Sequence, residues 1–239
     1  MKRLLCVPAA LALIMAICCS MPRAAAATTQ VSWQGYNWVP RTVAGNPGAP
    51  QRWSSSNVSI DRAGRLHLKV TRDKKGQYTQ AELDTAKNGW GYGSYRWTVD
   101  TDVSALPPEI VLGLFTYGQD PAYGHREIDI EAAGWGQEPV SWEYTTWANG
   151  HDEVANTPAA PGGSVDEIDW APGKLTWTTW TAGGVVIATA SASGADVPVP
   201  GDESIGINLW VCGCANGWET TPSTEVVLSG FSFTPAPAA

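Results

Sequence analysis

From position 58 onward the chain alternates apolar and polar residues. In V-S-I-D-R-A-G-R-L-H-L-K-V (58–70), Leu66, Leu68 and Val70 alternate with Arg65, His67 and Lys69 behind a D-R-A-G turn. A period of two sends successive side chains to opposite faces of a strand, so this stretch predicts a β-hairpin. Comparable patterns predict strands at 77–85, 92–100, 109–117, 126–131, 140–147, 205–212 and 226–233. A second hairpin is expected from 172–180 and 183–190, turning around Ala182-Gly183. Gly91 and Gly93 fit a bend or bulge, and Pro107-Pro108 separates two strands. After the first 27 residues, no 12-residue stretch carries helical periodicity. Ten or more strands divided by turns argue for an all-β chain folded as a two-sheet antiparallel sandwich or jelly roll. With no repeat of fixed period and no linker-like segment, residues 28–239 are expected to form one domain.

The N-terminus changes the picture of where the chain works. Met1-Lys2-Arg3, an apolar run from Leu4 to Cys19 and small residues at Ala24–Ala27 follow the order of a secretory signal peptide covering 1–27. The apolar run is shorter than the ~20 residues that span a bilayer, so a secreted, extracellular protein is expected rather than a membrane partner. The rest carries 12 basic against 23 acidic side chains, a net charge of −11. Such a surface excludes nucleic acid as an expected partner; a monomer is expected. Cys212 and Cys214 are the two cysteines outside the leader, too few and too close for a disulfide framework. They read equally as a C-x-C disulfide or as two buried thiols. No metal site is expected, because no His cluster adds ligands to this pair. N-V-S at 57–59 has the form of an N-glycan acceptor. Thirteen tryptophans against three phenylalanines is an unusual ratio. Most should be core, with roughly three or four in a partly wet groove, where a flat apolar face suits stacking on sugar rings.

The candidate chemistry lies in H-R-E-I-D-I-E (125–131). On a strand, His125, Glu127, Asp129 and Glu131 share one face, and Ile128 and Ile130 pack from the other. Solvated faces usually mix acids with Lys or Arg; this one has none. Paired carboxylates are what glycoside hydrolysis needs, one to attack or activate water and one to protonate the leaving oxygen. Crowding three acids is expected to push their titrations apart. Glu127 and Glu131 are four residues apart, about 13 Å between Cα atoms at ~3.3 Å per residue, which leaves retaining and inverting geometries both open.

Five motifs in order resemble glycoside hydrolase family 16, the secreted family that includes lichenases and laminarinases. E-I-D-I-E (127–131) is similar to its catalytic strand. W-G-Y-G-S-Y-R-W and I-V-L-G-L-F-T-Y resemble strands before it, and D-W-A-P-G-K-L-T-W and I-N-L-W resemble strands after it. The resemblance implies a concanavalin-like jelly roll, a groove on its concave sheet and a retaining mechanism. It also implies Glu127 as nucleophile, Glu131 as general acid and then base, and Asp129 as a hydrogen-bonding neighbour of the nucleophile. Tyr117 and Trp210 match groove positions. Trp147 shares the parity of Glu143 and Thr145 on a strand expected to face the groove. The departures are His125 where lichenases usually carry Trp, Arg96 where an acid is frequent, and Ala132 where a bulky residue is frequent. Such positions should line or support sugar subsites, so His125 and Arg96 join Tyr117, Trp147 and Trp210 as expected substrate-binding residues.

The expectation is therefore an endo-acting glycoside hydrolase on a β-linked polysaccharide, a β-glucan by the resemblance. No cofactor is expected; a structural calcium is known in some relatives and is not predicted. The alternatives are a non-catalytic carbohydrate-binding jelly roll, a transglycosylase using the same acids and, more remotely, a cell-envelope adhesin.

Overall fold

The computed structural model describes residues 29–43, 52–72, 74–148, 150, 152–216 and 221–237. The expected leader, 1–27, lies outside them. The strands in chain order are β1 (Val31–Trp33), β2 (Tyr36–Pro40), β3 (Val58–Ile60), β4 (Leu66–Arg72), β5 (Tyr78–Thr79), β6 (Ala81–Thr85), β7 (Gly93–Val99) and β8 (Ile110–Tyr117). They continue as β9 (Ile128–Ala133), β10 (Ser141–Thr146), β11 (Asp152–Pro158), β12 (Ser164–Ala171), β13 (Lys174–Thr181), β14 (Val186–Ser193), β15 (Ser204–Val211) and β16 (Thr224–Pro235). Among the described residues the helical turns are short 3₁₀ segments.

Two antiparallel sheets stack as a jelly-roll sandwich, as the alternation predicts. One runs β1-β2-β6-β15-β8-β9-β10-β11; the other runs β14-β13-β12-β7-β16-β4-β3, with β5 on β4. The inward residues of each strand make the core: Leu66, Leu68 and Val70 on β4, Tyr95, Trp97 and Val99 on β7, Ile128 and Ile130 on β9. Both predicted hairpins form, β3–β4 and β13–β14. The stretch 77–85 is not one strand. It breaks at Gln80, so that β5 pairs with β4 and β6 pairs with β2 and β15 of the other sheet.

Four strands lie outside the predicted set, each for a physical reason. β1 and β2 are a short hairpin turned by Gln34 and Gly35, both with positive φ. β11 is an edge strand, mostly exposed, with no apolar face to declare. β12 does alternate, but its inward set, Ser164, Asp166, Ile168 and Trp170, contains a carboxyl. The N-V-S reading fails as well. Asn57 is buried and its Nδ2 donates to the carbonyl of Thr79 (2.7 Å), so its amide cannot carry a glycan.

Asp166 bridges the two layers. Its Oδ2 accepts from Ser164 Oγ and its Oδ1 from Thr179 Oγ1, both at 2.7 Å, and Thr179 Oγ1 in turn accepts from Tyr144 of the facing sheet. Burial pushes its carboxyl up to about 7, against the pull of the two hydroxyls. A folded-state value above the unfolded one favours folding at acid pH. That contribution is complete below pH ~4 and is lost as pH rises through about 7. Asp166→Asn keeps the shape and cannot ionise, so thermal melts should show it gaining about 5 °C on wild type between pH 5 and pH 8. Equal differences at the two pH values would show that Asp166 does not titrate as a buried acid.

Candidate active site

The acids enter the sheet from a tight turn. Asp120 accepts from the backbone of Ala122, and three left-handed residues follow: Gly124 (φ 56°), His125 (φ 55°) and Arg126 (φ 52°). Buried Arg126 holds the turn, donating to Asp202 (2.8 Å) and to the carbonyl of Val199 (3.1 Å) while packing over Tyr123. A left-handed run cannot belong to a strand. The strand alternation expected for His125 therefore stops short of it. Glu127 is the first extended residue (φ −81°, ψ 125°), and its carbonyl accepts from Trp147 N (3.1 Å), which continues the ladder beyond β9. The His125 ring instead turns back and stacks on Tyr117 (centroids 4.8 Å, planes within 8°), with Nδ1 3.1 Å from the carbonyl of Gly118. His125 supports a cleft aromatic rather than standing in line with the acids.

The register of five strand pairs lays out the cleft floor. One rung reads Glu82–Asn208–Gly113–Glu131–Glu143–Asn156. The next reads Asp84–Gly206–Phe115–Asp129–Thr145–Glu153. Gly113 and Gly206 make room for their large neighbours. A Cβ at Gly113 would lie 2.5 Å from Asn208 Oδ1, and one at Gly206 would overlap the Phe115 ring.

The cleft extends to both sides of Glu127. One half is charged, with Arg41 paired to Glu82, and Asp84, Tyr117 and Gln119 nearby. The other is aromatic, walled by Trp53, Trp135, Trp147 and Trp210 around the three acids. That is the handful of groove tryptophans expected from composition. Among the described residues eight tryptophans are buried, Trp53 of the cleft wall among them. Trp135 and Trp210 meet edge to face (5.8 Å). Cys212 and Cys214 are disulfide-bonded, and Cys212 joins Val111 and Ala133 in a small apolar cluster against Trp210.

Electrostatics on the floor follow burial first. Desolvation pushes Glu127 up to about 7, with His125 pulling the other way. Asp129, 7% exposed, is held well above the ordinary carboxylate range by burial, then by Glu127 and Glu131, while the hydrogen bond from Trp147 Nε1 (2.9 Å) opposes the shift. Burial and then Glu143 and Glu127 push Glu131 up to about 7. Burial is thus the first cause for all three; crowding adds to it at Asp129 and Glu131 but not at Glu127, and Glu127 and Glu131 both lie near 7 instead of being pushed apart as expected. Asp84 follows the same rule, raised to about 7 by burial and by Glu82.

Of the expected substrate-binding residues, Tyr117, Trp147 and Trp210 line the cleft. Arg96 does not. It sits on β7 of the opposite sheet, where Tyr95 and Trp97 take the inward positions and parity sends Arg96 out to solvent. There it pairs with Glu167 (3.0 Å) and covers Trp180 (4.7 Å). Glu82, Asp84, Glu143, Trp53 and Trp135 are cleft residues that the sequence reading did not single out. Glu143 carried a signal: in V-S-W-E-Y-T-T-W it alternates with Trp142 and Tyr144 as Glu131 does with isoleucines. Glu82 and Asp84 alternate in A-E-L-D-T, but nothing local says that β6 lies three strands from β9.

An all-β jelly-roll sandwich with a carboxylate floor and an aromatic wall is the class this chain defines. Its structural neighbours are glycoside hydrolases. The Bacillus licheniformis β-glucanase superposes with a TM-score of 0.63 at 23% identity, over 83% of this chain and 92% of that one. Laminarinase from Flavobacterium sp. UMI-01 gives 0.60 at 19% identity, over 80% and 90%. A glycoside hydrolase family 16 endo-glucanase from Bacteroides ovatus, in complex with G4G3G-2F-DNP, gives 0.61 at 15% identity, over 82% and 94%. At these identities the likeness establishes the shared fold. No protein-family model matches the chain, and no curated protein matches it in sequence.

Proposed function

We propose that this protein is a secreted, endo-acting glycoside hydrolase of family 16 type that cleaves a β-linked glucan with retention. The observation that carries the reading is the Glu127–Asp129–Glu131 ladder on the floor of a cleft whose other side is walled by tryptophans. A carbohydrate-binding module has use for the tryptophans but none for three acids crowded on one face, Asp129 buried and the two glutamates half-buried. The cleft runs past Glu127 in both directions, which suits a chain bound through its middle. The neighbours named as β-glucanase and laminarinase support a glucan. The leader-like 1–27 and the Cys212–Cys214 disulfide both favour an oxidising, extracellular setting.

In this reading Glu127 attacks the anomeric carbon. The bond from that carbon to the glycosidic oxygen breaks, and Glu131 gives its proton to the leaving oxygen. Water then attacks the glycosyl-enzyme ester, and Glu131 takes the proton back. Asp129, protonated because it is buried between two other acids, donates to the nucleophile carboxylate and steadies its charge. Trp147 fixes the Asp129 carboxyl through its Nε1–H.

The test is release of oligosaccharides from laminarin, lichenan, galactan, agar and xyloglucan, with proton NMR of the first product formed. Release from a glucan with the β-anomer appearing first is expected. The α-anomer first would replace retention by inversion. Binding without release, equal in wild type and acid variants, would make the protein a carbohydrate-binding module.

A further inference from the structure

Glu143 is a buried carboxylate beside the trio, 7% exposed. The β9–β10 register sets it directly opposite Glu131, with both side chains on the cleft face. A direct cross-strand pair brings Cβ atoms to about 4.5–5.5 Å, a distance at which two anions repel strongly in a desolvated site. The hydrogen bonds decide which of the two carries the charge. Trp135 Nε1 donates to Glu143 Oε2 (2.8 Å), and Asn156 Nδ2 donates to Glu143 Oε1 (3.0 Å). Both oxygens of Glu143 therefore accept N–H bonds, an arrangement that favours the carboxylate over the acid. Among the described residues no hydrogen-bond donor reaches the Glu131 carboxyl, so nothing comparable favours its ionisation.

We infer that Glu143 is a positioning residue that keeps Glu131 protonated, and so able to donate to the leaving oxygen, at neutral pH. The inference rests on the reading of Glu131 as the general acid. Among the described residues, the groups that face Glu131 include no cation. Glu131 is faced by Gly113 on β8 and by Glu127 and Asp129 along its own run. Beyond Gly113 the same rung holds Asn208 and then Glu82, whose charge Arg41 meets. Glu143 is faced by Asn156, with Glu153 one rung further along β11. Glu143 is also the largest charge influence holding Glu131 up near 7, second only to burial. Trp135 thus serves both as part of the cleft wall and as a clamp on Glu143.

The experiment compares wild type with Glu143→Gln in two readouts, the pH profile of kcat/KM on the glucan cleaved and the ¹³C titration of the Glu131 carboxyl. A carboxyl relieved of a neighbouring anion ionises at lower pH. The alkaline limb and the Glu131 titration should both move down by about one pH unit, leaving about tenfold less activity above the wild-type limb. A dinitrophenyl glycoside, whose leaving group needs no proton, should lose less. Asn156→Ala, which removes one of the two donors, should shift both readouts in the same direction by less, and it decides the matter should Glu143→Gln not fold. A folded variant with both readouts unmoved overturns the inference. A chain inactive on every polysaccharide overturns the enzyme reading instead, and the carboxyl titration then decides the link between Glu143 and Glu131 alone.

Discussion

Glu131→Ala is expected to lose roughly 10²–10⁴-fold in kcat/KM on polysaccharide, the range that general acid catalysis contributes. The loss should depend on the leaving group. A sugar oxygen leaves poorly as an alkoxide and needs the proton that Glu131 supplies. A dinitrophenolate does not, so the first step on an aryl glycoside should survive. The glycosyl-enzyme formed there would accumulate, because no base remains to activate water. Azide needs no base, and it should restore turnover and yield a β-glycosyl azide, two inversions giving net retention. Equal losses on both substrates, with no azide product, would remove Glu131 from the acid/base role. The acid's place on the rung between Gly113 and Glu143 makes this variant informative, since Ala leaves a space open to the cleft rather than a hole in the core.

The second large effect belongs to Glu127. Glu127→Gln should lower turnover on every substrate by roughly 10³-fold or more, whatever the leaving group, since no intermediate can form. The smaller variant Glu127→Ala supplies the stereochemical check. Azide entering the vacated space attacks once, from the face the carboxylate occupied, and should give an α-glycosyl azide. An α product from Glu131→Ala and a β product from Glu127→Ala would exchange the two roles. The variants are expected to melt within a few degrees of wild type. Desolvation is the main cause holding the Glu127 carboxyl high, so replacing it with a neutral group should stabilise the fold slightly above pH 7.

The two misplaced expectations show where local pattern stops being informative. Arg96 was carried by a motif, and the motif does mark a strand. Strand parity alone, with Tyr95 and Trp97 apolar on either side, already puts Arg96 opposite the core. What it does not say is which sheet the strand joins. Because β7 lies in the sheet away from the cleft, its outward face is the back of the protein. His125 fails for a different reason. Alternation was extended two residues too far, across a turn whose left-handed backbone is held by Arg126 and Asp202, residues 76 apart in the chain. The residue still reaches the cleft neighbourhood, through Tyr117 rather than through parity.

By itself, the sequence determined the β class, most of the strands, the isoleucine and carboxylate faces of residues 127–131 and the bias toward tryptophan. These follow from nearest-neighbour geometry: a period of two along a strand is a property of the backbone, readable wherever one face is apolar. Only the tertiary structure decided the order of strands in each sheet, and with it the company the acids keep. Glu82, Asn208 and Glu143 stand on one rung with Glu131 although they are separated from it by 49, 77 and 12 residues. Pairing across such distances is chosen by which sheet edges and apolar faces can be buried together. Burial then set the proton affinities of the floor, a property no single strand possesses until the sheets have closed over it.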